Sequence, residues 1–244
     1  MNRRLGIGAI VIAALFLLAG CSAPLQTTGS DAAAESQRTI STSGSGEVSA
    51  DADRAIVTVA VTARADSAEA ARESVAANAS TMREALREAG VDDDSVTTAA
   101  YRVRGISDVE RKTEQREIVG YEAVHVFRID TTPDAAGTVV DTAVGNGASE
   151  VRHVQFTLTD ETRTELREEA LERAMSDARS DADVIASSAD LTVTGVKSAS
   201  TGGGHAPVYE VRATAADSGG APTQFDAGSV TVSATVDVTY TAVE

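Results

Sequence analysis

From Val230 to Tyr240 the chain alternates without a break. Val230, Val232, Ala234, Val236, Val238 and Tyr240 interleave with Thr231, Ser233, Thr235, Asp237 and Thr239. Successive side chains of a strand point to opposite faces, so this segment has one dry face and one wet face. Such a strand belongs in an antiparallel sheet covered on one side. The chain must therefore also supply the cover, and two stretches of helical period do so. Ala68, Ala71, Val75, Met82, Leu86 and Ala89 recur at steps of three and four or their sums. Asp66 with Glu69 reads as a capping box and Gly90 as a terminator, which predicts a helix over 66–89. A second long helix is predicted over 161–189, capped by Thr159 or Asp160. Its inward face is read as Leu171, Ala174, Ala178, Ile185 and Ala189, with Leu166 and Ala182 beside it.

The remaining elements follow from the same periods. A strand region is expected over 40–65, with Gly44 and Gly46 near its start and Ala55, Val57, Val59, Val61 and Ala63 on one side. Further strands are expected over 96–104, 118–131, 151–158 and 191–200, besides the closing one over 228–244. In the 118–131 strand Tyr121, Ala123, His125, Phe127 and Ile129 share a side. Residues 134–144 predict a short helix, broken by Gly145-Asn146-Gly147, and the charged stretch 105–117 a hairpin connection. The glycine-rich segment 201–227 reads as a loop long enough to carry function. The fold class is α+β: antiparallel sheets with two long helices packed on them, with a hint of two β–α–β lobes. Aromatic residues are 3% and tryptophan is absent, so Val, Ile, Leu and Ala must fill the core.

The N-terminus carries an address. Arg3 and Arg4 precede an apolar run from Ile7 to Leu18, too short for a comfortable membrane span. Leu18-Ala19-Gly20-Cys21 follows, and Cys21 is the only cysteine. This segment resembles the lipobox of prokaryotic lipoproteins, in which the signal is cut before the cysteine and the thiol receives a lipid. The expected organisation is a signal peptide over 1–20, a flexible polar tether over 21–39 and one domain over 40–244. The expected location is the outer face of the cell membrane, held there by lipid on Cys21. The paired arginines suit either twin-arginine or general secretory export.

Removing Arg3 and Arg4 with the signal takes the net charge from −16 to −18. This excludes nucleic acid as a partner, since phosphates demand a basic face. Lys112 and Lys197 are the only lysines. An acidic, lysine-poor, alanine-rich exported chain fits a high-salt organism, where self-repulsion is screened within a few ångströms.

Several separated landmarks together carry a family resemblance. They are Gly44-Ser45-Gly46-Glu47-Val48, Val96-Thr97-Thr98-Ala99-Ala100-Tyr101, Gly120-Tyr121-Glu122-Ala123, Gly147-Ala148 before a strand ending in Phe156, and Ala170, Ala174 and Ala178 at intervals of four. With the closing valine strand they resemble the SIMPL-domain family, formerly DUF541, over about residues 40–243. The resemblance implies an α+β fold and an exported envelope protein, some members forming oligomers and some being linked to oxidative-stress defence; the role expected here is non-enzymatic, through self-assembly or interaction. It implies no catalytic residues.

The search for chemistry is correspondingly thin. His125 and His153 fall in separate strands that could be neighbours; with an acid they could bind a metal, but no short ligand spacing supports this. His205 sits among glycines. No Gly-x-Ser-x-Gly elbow occurs, and the one thiol is reserved for lipid. Gly44-x-Gly46 lacks the third glycine of a phosphate cradle and reads as a strand start or bulge. Asp92-Asp93-Asp94 lacks the rest of a calcium loop and reads as a solvated turn. Neither catalytic, cofactor nor metal residues are assigned. The expected partners are the membrane and other copies of the chain. The alternative is a ligand-binding surface module, the 201–227 loop serving as its lid over an unidentified small molecule.

Overall fold

The computed structural model describes residues 38–109, 116–202, 208–209 and 222–244. The expected signal peptide, Cys21, nearly all of the tether and His205 lie outside the described residues, as do 110–115 and most of the 201–227 loop. The elements run β1 (Arg38–Asp51), β2 (Arg54–Ala65), α1 (Ala68–Glu88), β3 (Val96–Val109), β4 (Arg116–Thr131), α2 (Ala136–Gly145), β5 (Glu150–Thr157), α3 (Asp160–Ser188), β6 (Thr192–Thr201), β7 (Val208–Tyr209) and β8 (Ser229–Val243). The fold is α+β.

The strands form two sheets with every pair antiparallel. The first has the order β1-β8-β6, with β7 also on β8; the second has the order β3-β4-β2-β5. The single strand region expected over 40–65 is thus two strands in two sheets. The break is Ala52-Asp53, and the reason lies far away in sequence. The Asp53 carboxylate accepts hydrogen bonds from Thr159 N (2.6 Å), Thr159 Oγ1 (2.8 Å) and Thr162 Oγ1 (2.5 Å). Those groups start α3, so the aspartate that interrupts the strand also anchors the helix covering the first sheet.

In β8 the residues from Val230 to Ala242 at even positions are all buried, as the alternation requires. Facing them, α3 presents Ala170, Ala174, Ala178, Ala182 and Ala186, each at most 2% exposed. This corrects the expected inward face: Ile185 is 46% exposed, and Ala189 lies beyond the last turn. The cause is β1. A Cβ on Gly44 would stand 2.0 Å from Ala174 O, and one on Gly46 would stand 2.1 Å from Ala170 O. Backbone rests on backbone here, so the helix face is selected for smallness rather than for apolarity. The wet face of the same sheet is laced by hydroxyls, with Ser41 on Thr239, Ser49 on Thr231 and Thr194 on Thr241.

The second sheet carries α1 and α2. Its core joins Val57, Val59 and Val61 of β2, Phe127 and Ile129 of β4, Met82 and Leu86 of α1, and Val139 of α2. Helix α1 starts one residue later than expected: Ser67 Oγ, not Asp66, accepts from Ala70 N at 3.1 Å. Gly90, at φ 89°, turns the chain out of α1. Among the described loop residues, Thr223 donates its N–H (3.0 Å) and its hydroxyl (2.6 Å) to Asp141 of α2. Phe225 lies 5.8 Å from Phe156, ring to ring.

Candidate functional site

Helix α1 lies over β2 and β4 and, beyond the buried Val96, leaves the neighbouring strand β3 exposed, because its buried stripe of Ala71, Val75, Ala79, Met82 and Leu86 is one residue wide. The gap beside it is a trough of about 310 Å³. Its floor is aromatic. Tyr101 of β3 is the register partner of His125 on β4, and their rings meet edge to face at 5.1 Å. Phe127 follows two residues on, hence on the same face, with its centroid 3.9 Å from that of His125. Ala76, Ala79 and Ser80 form the helical wall, and Arg72 and Arg83 complete the lining.

His125 Nε2 is bonded to Thr98 Oγ1 at 2.9 Å. Burial, and next the charge of Arg83, hold its imidazole below the ordinary 6.5. The neutral form therefore predominates at pH 7, and cationic character in the trough comes mainly from the two arginines. Arg83 Nη1 donates to Val96 O at 3.3 Å, and Nη2 sits 3.7 Å from Asp93. Arg72 Nη2 lies 3.6 Å from Glu73. Both ion pairs are longer than a direct hydrogen bond, which leaves N–H donors of each guanidinium available.

On the opposite face of this sheet a row crosses three strands. Register places Arg64 of β2 and Arg104 of β3 on either side of Glu122 of β4. Glu122 Oε1 accepts from Arg64 Nε at 3.0 Å, and Oε2 from Arg104 Nε and Nη2 at 2.9 and 2.6 Å. The Glu122 side chain is 6% exposed, whereas the arginines are 71% and 59% exposed. Hydrogen bonds from Arg104 and then Arg64 hold the Glu122 carboxyl below the usual carboxylate range. Sequence reading missed this row, since only the strand register brings its members together.

The histidines do not converge. His125 pairs with Val61 and His153 with Thr58; Val61 and Thr58 point to opposite faces of β2, so the two imidazoles lie on opposite sides of the sheet. Among the described residues no group of three or more His, Cys, Asp or Glu is placed to hold a metal. Asp93 is engaged by Arg83 and Arg87. Gly44 and Gly46 serve helix contact rather than a strand bulge. None of the described residues 222–228 lines the trough.

The profile of the SIMPL family, described as a protein of unknown function (DUF541), matches residues 40–240. The chain belongs to the SIMPL family. No curated protein matches it significantly. The matched range runs from the third residue of β1 into β8, so among the described residues it takes in both sheets and helices α1, α2 and α3.

Proposed function

We propose that this SIMPL protein is an exported, lipid-anchored component of the cell envelope that acts by associating with further copies of itself and not by catalysis. The anchor is argued from Leu18-Ala19-Gly20-Cys21 behind its short apolar run. Among the described residues no helix is long and apolar enough to cross a membrane.

The observation that carries self-association is β3. It is an end strand of its sheet and 14 residues long. Long edges invite pairing with another chain, and proteins that avoid this place lysine or proline on them. Residues 96–109 contain neither; Arg102, Arg104 and Asp108 and the register shifts at Thr98/Ala100 and Ile106/Ser107 are the edge protection the strand does carry, and Ala100–Ile106 between the shifts keeps a regular register. Exposed apolar side chains cluster along β3 and the start of β4: Tyr101 (48%), Val103 (37%), Ile118 (58%) and Val119 (59%). Antiparallel pairing of two β3 edges about a two-fold axis at Tyr101 sets Arg104 against Thr98 of the second copy, which avoids opposing like charges.

Light scattering of residues 22–244 at high salt, over a concentration series, tests the association. A dimer or larger species is expected, reverting to monomer in the Val103→Glu/Ile118→Glu variant; a strict monomer throughout refutes it. Mass spectrometry of the mature N-terminus tests the anchor separately, with a thioether-linked lipid expected on Cys21 and Cys21→Ser expected to release the chain from membranes.

A further inference from the structure

The trough between α1 and β3 is out of character with the rest of the molecule. The chain has 37 Asp and Glu against 21 Lys and Arg, yet the residues lining the trough include two arginines and no acid. At about 310 Å³ it is at the small end of ligand sites. It combines an apolar floor with a few polar groups, the usual composition of such sites.

The geometry points to a binding site for a small organic monocarboxylate, its apolar body lying on the Tyr101–His125–Phe127 floor and its carboxylate taken by Arg83 or Arg72. The floor supplies stacking area. Tyr101 is half exposed because nothing in α1 reaches over it, and an apolar ligand body would complete that cover. Arg72 and Arg83 stand three helical turns apart, roughly 16 Å along the axis, so each serves a different end of the trough. Both are held only loosely by their acidic neighbours, as the 3.6 and 3.7 Å separations show. A carboxylate can therefore take N–H donors without first displacing a tight pair. Volume argues against nucleotides and long acyl chains, and an uncharged ligand would leave the cationic lining unused.

Isothermal titration of residues 22–244 with benzoate, hexanoate and the uncharged benzamide, at low and at high salt, tests this. Saturable binding of benzoate or hexanoate is expected, with benzamide about tenfold or more weaker. Ala76→Met, which places a flexible side chain in the trough at a helix-compatible position, should abolish it. Arg72→Gln or Arg83→Gln should weaken it about tenfold, according to which end takes the carboxylate. Thermal melts establish that each variant is folded, and Arg72, at 55% side-chain exposure, is the safer of the two arginines to replace. Absence of saturable binding overturns the assignment; so does benzamide binding equally well, or binding indifferent to Ala76→Met or to both arginine variants.

Discussion

Replacing Gly44 by alanine tests the contact on which the first sheet is built. The added Cβ would lie 2.0 Å from Ala174 O, 2.5 Å from Ala178 N and 2.8 Å from Ala178 Cβ. Two of these are backbone atoms, which cannot swing aside as the end of a side chain can. Relief requires α3 to retreat by about 1 Å or slightly more, and a gap of that size forfeits about a quarter to a half of each dispersion contact across it. Five buried alanine methyls, at about 0.8 kcal/mol each, then lose about 1–2 kcal/mol together. Overpacking strain adds about 1–3 kcal/mol. The alanine stiffens the unfolded chain, which returns about 0.4–1 kcal/mol. The net loss is about 2–4 kcal/mol, or roughly 4–16 °C in melting temperature for a domain of this size. Gly195→Ala in β6 is the control, because its Cβ would meet only Thr241 Oγ1 at 3.7 Å. Thermal and urea unfolding of the two variants at one salt concentration is the assay. Gly46→Ala should behave like Gly44→Ala, and the double variant should lose less than the sum, since the helix has to lift only once. If Gly44→Ala melts with Gly195→Ala, close to the wild type, α3 does not sit on β1 as described.

Three further outcomes are expected. Asp53→Ala removes the acceptor for three donors at the start of α3 and should cost about 1–2 kcal/mol in urea unfolding, with Asp53→Asn recovering part of it; equal losses would show that the acceptor is immaterial. Glu122→Gln should cost about 1–2 kcal/mol at pH 7, kept modest by the solvent around both arginines. Because the Glu122 pKa is depressed in the folded state, its contribution is complete above the ordinary 4.5 and fades as pH falls through the folded value. The gap between wild type and Glu122→Gln should therefore close in acid, and a gap that widens there would reverse the sign. Tyr240→Phe should leave stability unchanged or raise it, since the buried Tyr240 hydroxyl has no hydrogen-bond partner among the described residues; a loss above about 1 kcal/mol would imply a partner for that hydroxyl.

What the chain reveals by itself, and what it hides, divides along one physical line. Period two in Val230–Tyr240, and the shared side of Tyr121, His125 and Phe127, need only local geometry, and both are found as read. A hydrophobicity pattern looks for large apolar groups and so places Ile185 on the inner face of α3, whereas a helix lying on Gly44 and Gly46 needs the smallest ones there. Ala170, Ala174 and Ala178 were visible as a repeat, but their purpose depends on glycines more than 120 positions earlier. Asp53 likewise looks like an ordinary polar interruption until Thr159 and Thr162 arrive beside it. The row Arg64–Glu122–Arg104 is set by strand register, and the trough by which flank of α1 faces β3; neither quantity is encoded in any single segment. The candidate site is therefore a product of tertiary placement throughout: a narrow helical stripe leaves most of β3 bare, and that strand supplies the open edge and, in Tyr101, one ring of a floor completed by His125 and Phe127 of β4. Ligand binding and self-association would then share β3 while using different parts of it, the trough its Tyr101 face and the second copy its backbone edge. A chain that binds carboxylate equally well as monomer and as assembly would show the two to be independent; a shift in assembly on adding benzoate would show them coupled through Tyr101.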